Sequence, residues 1–260
     1  MNSSTASSIR QLCRLGKFQN PTPGVAYGYV QANLVVLPQN IAFDFMLFCY
    51  RNPKPCPILD ITEVGSSEFR MVAPGSDLRT DLPRYHVFRH GELVEEVTDI
   101  KQLWRDDFVS FLIGCSFSFE AALLSAGVPV RHIQEGKNVP MYKTNLACVS
   151  AGAFSSPLVV SMRPLLPADA IRAVQITSGF PKSHGAPVHL GDEKAIAISN
   201  LDYPDFGDAV TIRPGEIPVF WACGVTTQTA ILQAKPEIAI THAPGHMFIT
   251  DMKDESLQGV

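Results

Sequence analysis

The stretch Phe108-Val109-Ser110-Phe111-Leu112-Ile113-Gly114-Cys115-Ser116-Phe117-Ser118-Phe119-Glu120 decides the fold class. Phe108 to Ile113 is a short apolar run of buried-strand type, and Gly114-Cys115-Ser116 is a turn. Ser118 with Glu120 then opens a helix that runs to Ala126 and stops at Gly127. The same order recurs downstream. Val219 to Trp221 is strand-like, Ala222-Cys223-Gly224 turns, and Thr226-Thr227-Gln228 opens a helix to about Ala234, before Pro236. Cys115 and Cys223 stand 108 residues apart, and at that offset Phe111–Ala126 keeps four identities in sixteen positions. Chance would give about one. An internal duplication is one reading; the other is that any strand–turn–helix unit selects small turn residues and Ala or Leu in its helix.

Working outward, Ile9 to Phe18 reads as a first amphipathic helix after Ser8, stopped by Asn20-Pro21-Thr22-Pro23-Gly24. Gln31–Leu37 is extended and apolar, Pro38 suits a first helical position, and Ile41–Tyr50 continues as helix until Asn52-Pro53-Lys54-Pro55-Cys56-Pro57. Ile58–Thr62 is the next strand, and Tyr85–Val97 is a hairpin around Gly91. Asn138–Val149, Pro157–Arg163, Val188–Leu190, Ala195–Ser199 and Ile238–Thr241 complete the strands, with a helix from Pro167-Ala168-Asp169 to about Thr177. The predicted class is α/β: a mixed sheet with flanking helices. The 260 residues form one compact unit, with lobes 1–130 and 131–260 if the duplication holds and a smaller subdomain near 131–200.

The chain is large enough for a core without a disulfide scaffold. Apolar residues make up 46% and charged residues 18%, and the net charge is −4, so there is no basic excess to hold nucleic acid. The longest uncharged runs, Thr144–Met162 and Ile217–Ala234, are interrupted by Ser, Thr, Asn, Gln and Gly, which argues against a membrane span. Met1–Arg10 lacks the apolar stretch of a secretory signal, so a cytoplasmic protein is expected. Six cysteines without a C-x-x-C are expected to be reduced thiols. No nucleotide, haem or flavin motif is present, and the expectation is a cofactor-free site for a small carboxylate; a homodimer is one assembly the sequence allows.

A strand-to-helix turn presents unpaired N–H groups and the positive end of the helix dipole, where anions bind. Two such turns facing one cleft would hold two carboxylates, with Ser116, Ser118 and Glu120 on one side and Gly224, Thr226, Thr227 and Gln228 on the other. The hydroxyls could equally cap their own helices. Arg163, at the end of an apolar strand, is a carboxylate clamp or a structural ion pair. The same dipole would lower the thiol pKa of Cys115 and Cys223, though free cysteines are commonly packing residues. His184 and His189, and His242 and His246, lie in Gly/Pro loops at strand ends and are candidate acids or bases. His242 and His246 have the spacing of a zinc helix, but Pro244 and Gly245 break that helix and no Glu adjoins it, so no metal is expected. His86, His90 and His132 read as surface or strand residues without a constellation.

With Val30-Gln31-Ala32-Asn33-Leu34, Asn52–Pro57, Phe111–Glu120, His184–His189, Pro204–Asp208, Trp221–Thr226 and Thr241–Met247 in view, the chain resembles the bacterial hydro-lyase family classed with D-glutamate cyclase. The resemblance spans nearly the whole chain and implies a carbon–oxygen lyase. For animal relatives, which carry a further C-terminal domain, it implies conversion of D-glutamate to 5-oxo-D-proline and water. Dehydrative cyclisation needs a base for the amine, donors for the oxyanion and an acid for the leaving hydroxyl. The residues suggest His242 and His246 with His184 or His189 for proton transfer, and the two turns with Arg163 for the carboxyl groups. Two other readings stand beside it: cofactor-independent proton transfer at an α-carbon by Cys115 and Cys223, as in racemases, and a non-catalytic binder of a small carboxylate.

Overall fold

A computed structural model describes residues 5–259. The elements follow as α1 (Ala6–Arg14), β1 (Tyr29–Pro38), α2 (Gln39–Arg51), β2 (Ile58–Ile61), β3 (Tyr85–Arg89), β4 (Glu92–Val97), β5 (Phe108–Gly114), α3 (Phe117–Ser125) and α4 (Arg131–Glu135). They continue as β6 (Met141–Ala147), β7 (Pro157–Leu165), α5 (Pro167–Ser178), β8 (His189–Leu190), β9 (Ile217–Ala222), α6 (Val225–Ala234), β10 (Ala239–His242) and β11 (Phe248–Lys253). The α/β class holds. The strands form two sheets rather than one, and every pairing among the described strands is antiparallel.

The first sheet has the order β2-β5-β1-β10-β3-β4, with β11 also on β1, and the second has the order β6-β7-β9-β8. The two strand–turn–helix units occupy equivalent places. In one, β5 lies between β2 and β1; in the other, β9 lies between β8 and β7. The registers correspond too: Asn33 faces Ile113 across β1 and β5, and Ser161 faces Trp221 across β7 and β9. The C-terminal strands β10 and β11 return to the first sheet, so sheet membership crosses the expected boundary near residue 131.

Helices cross between the sheets. Phe119 and Leu123 of α3 pack with Ala170 and Ala173 of α5 and Val219 and Trp221 of β9, all in the second sheet's layer. Ala230 and Ile231 of α6 pack in the other direction, with Phe45 and Phe48 of α2 and Val35 and Phe111 of the first sheet. Phe45 meets Phe111 and Phe154 edge-on at 4.9 and 5.3 Å, a geometry that adds to its burial. Each turn is thereby the point where the chain leaves one sheet and enters the layer of the other, which brings both turns to the junction.

Several local readings change. Thr5, not Ser8, caps α1, its hydroxyl accepting from Ser8 N. Ala195–Ser199 is not a strand: Asp192 accepts from Lys194 N and starts a 3₁₀ turn over Glu193–Ile196. The short helix α4 had no periodic signal, and it carries His132 into the interior, 2% exposed.

Candidate active site

Asn33 joins the two turns. Its Nδ2 donates to Ile113 O at 3.2 Å and Gly114 O at 3.0 Å. On the other side Gly224 packs so closely that a Cβ there would fall 2.3 Å from the same nitrogen. A Cβ on Gly114 would fall 1.9 Å from Lys182 O. Both positions therefore require glycine for close backbone approach.

Beside this contact sits a buried charge. Arg163, 0% exposed, donates from Nε to Glu120 Oε1 at 3.1 Å, from Nη1 to Ser161 Oγ at 3.0 Å and from Nη2 to Ser116 Oγ at 3.1 Å. Its Nη2 also pairs with Glu120 Oε1. The guanidinium lies over the rings of Phe119 and Trp221, 5.2 and 5.3 Å from their centroids. Burial alone would raise the Glu120 carboxyl, but Arg163 and then His132 hold it below the ordinary value. His132 Nε2 is 3.2 Å from Glu120 Oε1, off the hydrogen-bond direction, and both ring nitrogens are otherwise unpartnered. Of the two roles expected for Arg163, the structure realises the ion pair. Its carboxylate is supplied by Glu120, four residues after Ser116.

Glu120 and His132 open onto a cavity of about 550 Å³. Its walls are the Pro21–Tyr29 loop, one side of α3 from Phe117 to Leu124, and Ile133, with Gln31, Lys137, Asp208 and Asp254 as polar groups. Pro244 and Gly245 close one side. Beside it Gln31 Oε1 and His132 Nδ1 lack protein partners among the described residues, while the Ser118 hydroxyl and the Asp254 carboxyl lie next to each other and His132 Nε2 faces Glu120. Buried polar atoms are rarely left so. Burial pushes Asp254 up to about 6, against the Ser118 hydroxyl and Lys253, which pull it down.

The residues expected to do chemistry are divided by the structure. Ser116, Glu120 and Arg163 meet in one cluster, with Ser118 next to Asp254. Thr226 and Thr227 are spent on the fold: Thr226 Oγ1 accepts from Val159 N and Thr227 Oγ1 donates to Gly224 O. Gln228, at the place equivalent to Glu120, is buried with Nε2 unpartnered and does not line the cavity. The loop of His242 and His246 reaches the cavity only through Pro244 and Gly245. His242 is buried with Nδ1 against the Leu34 backbone, and burial lowers its pKa to about 4. His246 Nδ1 turns to Pro244 O. His184 Nδ1 lies 2.9 Å from Lys54 O, and burial again lowers it to about 4, while His189 Nε2 contacts Asp192 O. These imidazoles do not form one acid–base constellation.

The expected lowering of the two thiols is reversed. Burial pushes Cys115 up to about 12 and Cys223 to about 11, outweighing the hydrogen bonds from Phe117 N–H and Val225 N–H. Both remain thiols at neutral pH.

Three site groups escaped the sequence reading, and a fourth, His132, expected as a surface or strand residue without a constellation, is instead buried on α4 against Glu120. Gln31 and Asn33 are alternate polar residues inside an otherwise apolar strand, a visible signal of inward-facing polar groups. His132 and Asp254 had none, since each sits on a short helical turn without periodicity.

A two-sheet α/β body thus carries a buried ion-pair cluster beside a cavity, the concave setting in which small-molecule sites are generally found. Residues 109–251 match the family model described as D-glutamate cyclase. A Geobacillus kaustophilus protein named "Putative hydro-lyase" is 63% identical over 253 residues, 97% of this chain and 96% of its own. The Bacillus subtilis protein named "Putative hydro-lyase YcsI" is 61% identical over 249 residues, 96% of this chain and 97% of its own. A crystal structure of a nitrogen repressor-like protein from Methanococcus jannaschii aligns over 95% of this chain and 98% of its own, with TM-score 0.38 and 10% identity. The chain belongs to the D-glutamate cyclase family. No helix among the described residues is long and apolar enough to cross a membrane.

Proposed function

We propose that this enzyme is a hydro-lyase that takes a small acidic amino acid into the cavity and removes water from it, the favoured reaction being cyclisation of D-glutamate to 5-oxo-D-proline. The observation that carries this reading is Glu120: a carboxylate held ionised by Arg163, touching His132, and forming part of the cavity wall. The charged side chains at the cavity are Lys137, Glu120, Asp208 and Asp254, of which Lys137 pairs with Glu135 at 2.9 Å and Glu120 with Arg163.

In the cyclisation the amine nitrogen bonds to the side-chain carboxyl carbon and one carboxyl oxygen leaves. The ammonium gives up two protons, and both depart with that oxygen as water, so the reaction balances without a co-reactant. In this reading Glu120 and His132 carry these protons, with Arg163 fixing the Glu120 side chain. Proton NMR of the protein with D-glutamate tests the reading, with 5-oxo-D-proline supplied in parallel to read the reverse direction. Growth of the 5-oxoproline signals is expected. Binding without conversion would favour the non-catalytic reading, and exchange at the α-carbon without cyclisation would favour the two thiols.

A further inference from the structure

Exposure orders the cavity lining from floor to mouth. Glu120 and His132 are buried, whereas Tyr27, Leu124 and Ile133 line the same cavity and are 69%, 40% and 42% exposed, which places them where it opens to solvent. The charged groups of the mouth are already engaged. Lys137 Nζ donates to Ala209 O at 2.8 Å and pairs with Glu135, and Asp208 Oδ2 accepts from Asn138 N at 2.9 Å. What the mouth offers a ligand is therefore apolar surface, and large apolar side chains gathered at a concave opening mark a binding surface. The cavity is also larger than D-glutamate needs: about 550 Å³ falls among pockets for drug-sized ligands, roughly 300–1,000 Å³. D-glutamate is a short chain, polar at both ends, with no apolar group to lay against Tyr27, Leu124 or Ile133.

We infer that the substrate is a D-glutamate capped at its α-carboxyl by an apolar amide, its reacting end at Glu120 and His132 and its apolar group against Tyr27, Leu124 and Ile133. This rests on the hydro-lyase reading. In that reaction the amine and the side-chain carboxyl are consumed, so the α-carboxyl is the group that carries a substituent without entering the chemistry. The amine nitrogen bonds to the side-chain carboxyl carbon, and one carboxyl oxygen leaves with two ammonium protons as water. The α-amide bond is untouched, and the product is a 5-oxoproline amide.

Binding calorimetry on the full chain compares D-glutamate, its α-carboxamide and its α-benzylamide. The carboxamide controls for the charge lost on capping, so the ratio of benzylamide to carboxamide affinity reads the apolar group alone. That ratio is expected to be about tenfold or more, the worth of one largely buried aromatic ring. Tyr27→Ser and Ile133→Ser should each lower it by at least about threefold. Phe43→Ser, which changes an exposed aromatic of α2 outside the cavity lining, should leave it unchanged. All three positions are exposed, and circular dichroism checks that each variant folds. A ratio within about twofold of one, a ratio that survives both cavity variants, or one that Phe43→Ser lowers equally overturns the capped substrate. The same samples are assayed by proton NMR for lactam formation. Conversion of D-glutamate with a ratio near one removes the capped substrate and keeps the hydro-lyase reading. A high ratio without conversion of any probe keeps the apolar mouth as a binding surface and removes the reaction. No binding of any probe at millimolar concentration overturns both.

Discussion

Arg163 and Glu120 set the energetics at the residue scale. A cation with no solvent exposure depends on its partner, and breaking a buried pair by removing one member typically costs roughly 3–5 kcal/mol. Glu120→Gln is therefore expected to lower stability by an amount of that order in urea denaturation, and to abolish turnover. Adding Arg163→Met should recover part of the loss, and a double-mutant cycle showing no coupling would contradict the pairing. Asp254 behaves in the opposite sense. Its folded pKa, about 6, lies above the ordinary value of 3.8, so the folded protein binds the proton more tightly than the unfolded chain. Its contribution is present at low pH and is lost as pH rises from about 4 to about 6. Asp254→Asn should raise stability at pH 7.5 by about 1 kcal/mol, discounted for partial exposure. Equal stability of the two proteins at that pH would remove the case for a destabilised carboxylate in the cavity.

At the scale of elements, the two turns decide the arrangement. Gly224→Ala would drive a methyl into Asn33, which holds the carbonyls of Ile113 and Gly114. Overpacking of this kind costs about 1–3 kcal/mol. Asn33→Ala in the same chain should relieve part of it, and a purely additive double mutant in thermal denaturation would show that the turns do not meet there. The strand–turn–helix units were legible because Phe108–Ile113 and Val219–Trp221 are apolar runs ended by small residues, and because the Ala/Leu spacing of the following helices matches. Which sheet each helix would cover was not legible. Phe119 and Ile231 are apolar on any partner, and only the pairing of β5 with β1 and of β9 with β7 sends each helix across the junction. Similarly, Ser116, Glu120 and Arg163 could be picked from sequence, but not that Arg163 would take Glu120 as its carboxylate. His132 was assigned to the surface or a strand because a five-residue helix carries no period to show which way it faces.

Across the whole molecule, buried neutral imidazoles link stability to pH. His184 and His242 are each lowered from 6.5 to about 4 by burial. The unfolded chain takes up protons below about 6.5 while the folded protein resists until about 4. Their stabilisation is therefore present above 6.5 and is lost as pH falls through that window. The combined effect is on the order of several kcal/mol. Urea midpoints at pH 7, 5.5 and 4.5 should fall steeply, and His242→Gln should flatten the fall even where it lowers stability at pH 7. An unchanged slope would mean that His242 titrates alike in both states. The structure with 5-oxo-D-proline bound tests the siting of the reaction most directly. The product is predicted to lie in the cavity against Glu120 and His132. A product molecule seated instead between His242 and His246, or against the thiols of Cys115 and Cys223 with the cavity empty, would contradict it.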